Sequence, residues 1–406
     1  MNTSKWLLIL GVFLSGCPQK ELKIRLTNIS NETIFKSFVA SRDLLKDADQ
    51  EYFALKGEQL VPSQYDDTDG DGIWDQLVFQ YELKPNEVVD IDLVPTELSD
   101  LPEFTKKTNV YLGKSENRDE QFVSLEKETL DPTHIAQSTP FLYQFEGPGW
   151  ESDLVAFRGY FDSRKGKDVF GKKTQDMVAD EIGLEENYHE MCPWGMDVLS
   201  VGSTLGAGAL AILKNDSLIK LSLTKSTSFE ILNEGPVRSR FLLTHEGWDV
   251  LGEDYKLEET ITIWSGTRYY SNDIRLFKNG KPALTDTLVA GIGNKKHVAF
   301  SELKYLELAE ISYTHGDQSE NKDALGLAIL TEQDGRFGNR TSPQEGDGII
   351  KTHLTLLKAI DGVYSYSFVA GWEGENEDFS VSKMFQKHLE QCATDLYEQV
   401  QLEIIK

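Results

Sequence analysis

The chain has 406 residues, with 41 Lys and Arg against 67 Asp and Glu, a formal charge of -26. Hydrophobic residues make up 39% and aromatics 10%, enough to build substantial cores, so a wholly disordered chain is excluded. A body this acidic repels a phosphate backbone, which excludes a nucleic-acid binder, and no internal run reaches the roughly 18 apolar residues of a spanning helix.

At the N-terminus, Lys5 precedes an apolar run from Trp6 to Leu14, and small residues follow. That order is the pattern of a secretory signal, and the run is too short to cross a bilayer. Leu14-Ser15-Gly16-Cys17 resembles the bacterial lipobox, in which the cysteine is acylated and becomes the mature N-terminus. The expectation is a signal peptide over 1–16, a lipid anchor on Cys17, and a cell-envelope lipoprotein held at a membrane, the outer membrane. Cys192 and Cys392 then remain; neither has metal-ligand spacing, and whether they pair stays open.

Most of the rest reads as strand. Short period-two runs fall at Leu22–Asn28, Gln76–Leu83, 88–94, 155–161, 217–224, 237–244, 255–264, 325–330 and 362–370. In 255–264, Tyr255, Leu257, Ile261 and Ile263 share a face; in 362–370, Tyr364, Tyr366 and Phe368 do. One long helix is predicted over 380–400, where Val381, Phe385, Leu389, Cys392, Leu396 and Val400 keep helical spacing. Many strands and one terminal helix predict a mainly β protein, a β-sandwich rather than a βαβ fold. The polar stretch between Pro95 and Pro132 reads as a boundary, giving an N-terminal β-rich unit over 17–125 and a β-sandwich body over 126–406.

Within the first unit, Asp67-Thr68-Asp69-Gly70-Asp71-Gly72-Ile73-Trp74-Asp75 follows the start of a calcium loop, since hard cations take carboxylate oxygens at alternate positions. Val78 stands where an EF-hand needs its bidentate Glu, and the flanks read as strand, so an EF-hand is excluded. Two readings stay open: a structural Ca2+ on Asp67, Asp69, Asp71 and Asp75, or a solvated acidic hairpin turn.

The unusual residues concentrate between 150 and 208. If 155–161 is a strand, Phe157 and Phe161 face a core while Arg158, Tyr160 and Asp162 line a polar surface that Arg164 extends. Tyr188-His189-Glu190 and Trp194 follow, and Arg238 and Arg240 share a face further on. Arginines bind carboxylates and sulfates through a two-pronged fork, so four of them in an acidic chain point to an anionic ligand. The competing reading pairs them with Asp162, Glu234 or Asp197 inside the sheet. His189 stands out among seven histidines through its neighbours, with His134 and His245 behind it. Gly-rich phosphate loops, a Gly-x-Ser-x-Gly elbow and the second His of a zincin are all missing from the sequence.

The Asp67–Asp75 loop, Phe157-Arg158-Gly159-Tyr160-Phe161-Asp162-Ser163-Arg164, Asp168-Val169-Phe170-Gly171-Lys172, Tyr188-His189-Glu190-Met191, Trp194-Gly195-Met196-Asp197 and Gly235-Pro236-Val237-Arg238 together resemble a family of lipoproteins from marine polysaccharide-degrading bacteria. Its better-understood members are ulvan-oligosaccharide dehydratases. The resemblance implies a galactose-mutarotase-like β-sandwich (supersandwich) body, with the small N-terminal β unit and C-terminal helix beside it. It also implies action on glucuronyl-rhamnose 3-sulfate oligosaccharides, which are anionic and sulfated, without a redox cofactor. For such an elimination at C5 and C4 of a terminal glucuronate, we expect His189 as base, Arg158 or Arg240 to neutralise the sugar carboxylate, and Tyr160 to protonate the leaving hydroxyl. Arg164, Arg238, Trp194 and His134 are expected to bind substrate. The same set suits a polysaccharide lyase. A non-catalytic glycan-binding lipoprotein, or a hydrolase or epimerase on the same scaffold, are the alternatives.

Overall fold

The computed structural model describes residues 22–45, 51–115, 121–130 and 142–406; the signal peptide, Cys17 and His134 lie outside the described residues. Alternation builds the strands. Along Glu253–Trp264, Tyr255, Leu257, Glu259, Ile261 and Ile263 are buried while the intervening Lys256, Glu258, Thr260 and Thr262 are not. Two-residue turns with positive φ join neighbours at Asn215-Asp216, Leu251-Gly252 and Asn279-Gly280, whose local twist matches that of paired strands.

A ten-stranded antiparallel sheet forms one layer, running in space through Lys127–Leu130, Ser226–Asn233, Arg238–Val250, Glu253–Trp264, Tyr269–Lys278, Tyr364–Trp372, Leu325–Glu332, Ala309–Gly316 and Phe300–Tyr305, with Lys281–Pro282 beside Tyr269–Lys278. Two five-stranded sheets face it. The front sheet holds Gly195–Asp197, Lys167–Lys172, Val155–Gly159, Gly149–Ser152 and Thr108–Tyr111 in order. The flanking sheet holds Ser217–Lys220, Ala207–Lys214, Thr287–Gly293, Thr352–Leu357 and Arg336–Thr341. Trp150 and Phe157 from the front sheet meet Phe241, Tyr270 and Phe368 from the large one in a single core. The molecule is a mainly β sandwich, as expected.

A smaller core lies between the sheet of Val400–Ile405, Leu22–Asn28, Val88–Pro95 and Phe53–Lys56 and the sheet of Ile34–Ser41, Gln76–Leu83 and Ser63–Asp66. Gln64 joins it to the large sheet: its carbonyl accepts from the Val237 and Arg238 amides and its amide donates to the Arg238 carbonyl. The polar stretch after Pro95 carries Thr108–Tyr111, which pairs with Gly149–Ser152 of the front sheet.

Three expectations need correction. The predicted strand 155–161 ends at Gly159 because a hairpin turn follows. The strand 237–244 runs on to Val250 past a bulge between His245 and Trp248. The predicted helix 380–400 spans Ser382–Tyr397, and Val400 opens a strand paired with Leu22–Asn28. Val400, Leu402 and Ile404 alternate with Gln401 and Glu403, which is strand period, and they pack on the smaller core. Cys192 and Cys392 are both free buried thiols in separate apolar clusters, so the two do not pair.

The helix covers the outer face of the large sheet. There Phe385 drops onto Gly326 and Gly371, where a Cβ would come within 2.5 Å and 2.9 Å of its ring. Phe385→Ala is expected to cost about 3–5 kcal/mol in denaturant unfolding. Gly326→Ala should also destabilise, by crowding the same ring from below.

Candidate functional site

The hairpin Val155–Gly159 and Lys167–Lys172 sets Arg158 directly across from Asp168, and the next pairing sets Phe170 across from Asp197. Because Phe157 points into the core, Arg158 points outward, where residues 173–194 fold over it. Its guanidinium is buried and fully engaged. Nε and Nη2 donate to Asp168 Oδ2 at 3.1 Å and 2.8 Å, Nη2 also to Asp197 Oδ2 at 2.9 Å, and Nη1 to the Tyr188 hydroxyl at 3.2 Å. The Tyr160 hydroxyl accepts from Nη2 at 3.1 Å and donates to Asp168 Oδ2 at 2.9 Å.

His189 closes the cluster toward solvent. Its Nδ1 lies 3.3 Å from Asp197 Oδ2, its side chain is 62% exposed, and its ring leans on Tyr188 at 4.5 Å. The imidazole is thus oriented from behind by a carboxylate that a buried arginine holds in place, and among the described residues Nε2 has no hydrogen-bond partner.

The electrostatics follow from crowding charge in a dry site. Burial and the neighbouring Asp197 carboxylate push Asp168 up from its ordinary 3.8 to about 7, against the pull of Arg158. Burial alone would lower Arg158, but Asp168, Tyr160 and Asp197 more than reverse it and hold it well above its ordinary value. Burial, then Asp168, raises the Tyr160 phenol, which stays neutral. The hydrogen bond to Asp197 raises His189, with partial burial opposing.

The remaining candidates scatter. Arg164 sits at the rim, bonded to Asp162 and Glu146, with its guanidinium 4.1 Å above the Tyr160 ring. Trp194 is packed edge-on against Phe170 and is only 9% exposed, which leaves little ring face for the sugar stacking expected of it. Arg238 is buried in an ion pair with Asp66 and lies over Trp264. Arg240 shares its face, the outer face of the large sheet, away from the core side where the front sheet packs. Arg158 and Arg240 therefore stand on opposite outer faces of the sandwich and do not meet one sugar carboxylate together. His245 lies in the interior between Thr227 and Glu259, its basicity lowered by burial.

The reading that pairs the arginines with Asp162 or Asp197 holds for Arg164 with Asp162 and Arg158 with Asp197, whereas Asp168 was not singled out and reaches Arg158 through the antiparallel register. Lys165 was missed too. Its ammonium is buried against the Phe161 carbonyl and ring, and burial lowers it to about 7.

In the acidic loop, carboxylate oxygens of Asp67, Asp69 and Asp71 come within 4.8 Å of one another. Gly70 and Gly72, both at positive φ, donate their amides to Asp67 and curl the loop. Asp75 is turned to the Thr68 amide and hydroxyl instead. Strands flank the loop on both sides, and three hard oxygen donors fit a divalent cation such as Ca2+.

A two-layer antiparallel sandwich carrying a His–Asp pair backed by a buried arginine defines the class. The chain belongs to the family described as Domain of unknown function (DUF4861), matched over residues 30–402. It is 23% identical over 295 residues to "Uncharacterized protein P7" of Formosa agariphila, covering 66% of this chain and 67% of that one. Among solved structures it is similar to an alpha-mannosidase from Enterococcus faecalis, with a TM-score of 0.50 and 10% identity over 96% of this chain and 46% of that one. A glycosyl hydrolase family 38 protein from the same organism gives 0.43 and 9%, over 96% and 48%. The chain spans about half the length of these structures, and at 10% identity the likeness to the alpha-mannosidase is one of fold.

A raised carboxyl has a consequence for stability. The folded protein holds the Asp168 proton up to about pH 7 while the unfolded chain releases it near 3.8, so this group's contribution falls as pH rises between those values. Asp168→Asn, which removes the titration, is expected to flatten that part of the Tm-versus-pH curve; an unchanged slope would count against the assignment.

Proposed function

We propose that the protein is a carbohydrate-active enzyme, and more finely a hydro-lyase that removes water from a terminal glucuronate of sulfated glucuronyl-rhamnose oligosaccharides, as in ulvan. The observation that carries this is the exposed His189 imidazole, held through Nδ1 by Asp197 and linked through Arg158 to the neutral Tyr160 phenol. His189 Nε2 takes the C5 proton. The C5–H electron pair becomes the C4=C5 bond, the C4–O bond breaks, and the departing hydroxide takes the Tyr160 proton to leave as water. Asp168, hydrogen-bonded to that phenol, returns a proton to it and is itself recharged from solvent. Solvent relieves His189 of the proton it gained.

Arg158 has no donor to spare for a substrate, so it is a positioning residue for Asp197, Tyr160 and Tyr188. Arg164, at the rim, is the guanidinium that meets the sugar carboxylate as enolate charge develops on it. We further propose a structural Ca2+ on Asp67, Asp69 and Asp71, and attachment to the outer membrane through acylated Cys17.

The test is incubation with saturated glucuronyl-rhamnose sulfate oligosaccharides, following the ultraviolet absorbance of the conjugated uronate together with product mass. Loss of one water without chain cleavage is expected; shorter chains would mean a polysaccharide lyase, and no change in either signal would favour glycan binding. His189→Ala should lower kcat/KM by about 10²–10⁴-fold. A base must be neutral to act, so activity should fall as pH drops through the raised His189 pKa. Asp197→Asn, which removes the hydrogen bond that raises it, should shift that acid limb to lower pH. Separately, Ca2+ should raise Tm and a chelator reverse the gain, with Asp69→Ala abolishing both effects.

A further inference from the structure

Arg240, left out of the Arg158 cluster, stands in a groove of its own. The groove lies on the outer face of the large sheet, between Val39 and Gln76 of the N-terminal unit and Tyr397 at the end of the helix, and encloses about 360 Å³. That volume is within the roughly 300–1,000 Å³ of small-molecule sites. Its floor is a cross-strand row: Arg240 is the register partner of Thr262, Thr262 of Ser271, and Ser271 of Ser367. Elsewhere the same sheet face is apolar, with Trp264, Tyr269, Ala328 and Val369 sharing one cluster with Phe385 of the helix. Four adjacent strands here present small hydroxyls and one guanidinium instead, and that substitution is what leaves the space open.

The arginine is also underused. Arg158, Arg164, Arg238, Arg268 and Arg336 each form an ion pair with a carboxylate. Arg240 is partly buried beside Arg238, yet its bond among the described residues is a long 3.4 Å contact to the Asn233 side-chain oxygen. Asp273 lines the same groove but its Oδ1 accepts from Ser365. A partly desolvated guanidinium of this kind gains most from a planar two-oxygen partner that it can grip with its fork. Hydroxyls along the floor match those of a sugar ring, and Tyr397 supplies an aromatic wall.

We propose that this groove is a second ligand site, separate from the His189 face, which binds a carboxylate-bearing sugar through Arg240 and the Thr262–Ser271–Ser367 row. It goes beyond the proposed elimination and does not depend on it. A catalytic face and a distant uronate-binding groove on the opposite side of the sandwich would hold two parts of an anionic oligosaccharide source near one molecule.

Titration calorimetry with D-glucuronate, D-galactose and inorganic sulfate tests it by binding alone, so failure of the elimination reading leaves the test intact. Glucuronate should bind to the wild type and to Arg164→Gln at the groove, and Arg240→Gln should weaken that event by at least about tenfold. Thr262→Leu, which fills the floor without touching the charge, should do the same while Tm shows the variant folded. Undiminished glucuronate binding by Arg240→Gln would overturn the proposal. So would the absence of glucuronate binding to the wild type, or equal binding of galactose or of sulfate.

Discussion

The candidate site rests on one buried cation. Arg158 is enclosed with two carboxyl groups, Asp168 and Asp197, so removing it would leave both buried without their cation. Breaking a buried pair in this way typically costs about 3–5 kcal/mol, more than the loss of an exposed bridge by several-fold. The geometry of everything catalytic passes through the same group. Its Nη2 orients Tyr160 and Asp197, its Nη1 orients Tyr188, and Asp197 in turn orients His189. A side chain with no free donor can therefore set where the proton-handling groups stand without touching a ligand.

Much of the fold was legible because period two is a local signal. Phe157 inward and Arg158 outward followed from alternation alone, as did the strand character of the flanks around the acidic loop. What alternation cannot say is which layer a strand joins. Arg158 and Arg240 each stand on the polar face of a strand, and the sequence offered no means to tell that one strand lies in the front sheet and the other in the large sheet. Their separation across the sandwich is a property of topology. The same limit hid Asp168, which meets Arg158 through strand register. Trp194 misled for another reason: an aromatic near charged residues suits a sugar platform and a packed cluster equally, and Phe170 with Tyr188 claimed it for packing. The spacing of Val400 from Leu396 is helical and so extends the predicted helix too far, while the alternation that begins at Val400 marks the strand.

Between the layers lies a second set of buried charges that the proposed chemistry does not use. Lys167 reaches Glu259 on the large sheet, and Glu259 also takes hydrogen bonds from Asn272 and stands against His245. Attraction from Lys167 and His245 outweighs burial and holds Glu259 well below the usual carboxylate range, so it remains ionised and the lysine has a charged partner. Buried pairs of this kind add little net stability compared with apolar packing. Their value is in what they forbid.

Lys167 and Asp168 are adjacent on one strand and so face opposite sides of the front sheet. Lys167 points inward to an anion and Asp168 outward to a cation. A slip of one residue would set either Lys167 against Arg158 or Asp168 against Glu259, depending on its direction. Either contact would be repulsive and dry, and the apolar neighbours offer the misplaced charge no escape to water. Apolar residues alone specify this strand weakly, since Val169, Phe170 and Gly171 are buried on both faces. The pair of opposite charges supplies the missing discrimination. Register in this hairpin is thus fixed electrostatically from both sides, and the position of Asp168 beneath Tyr160 follows from it.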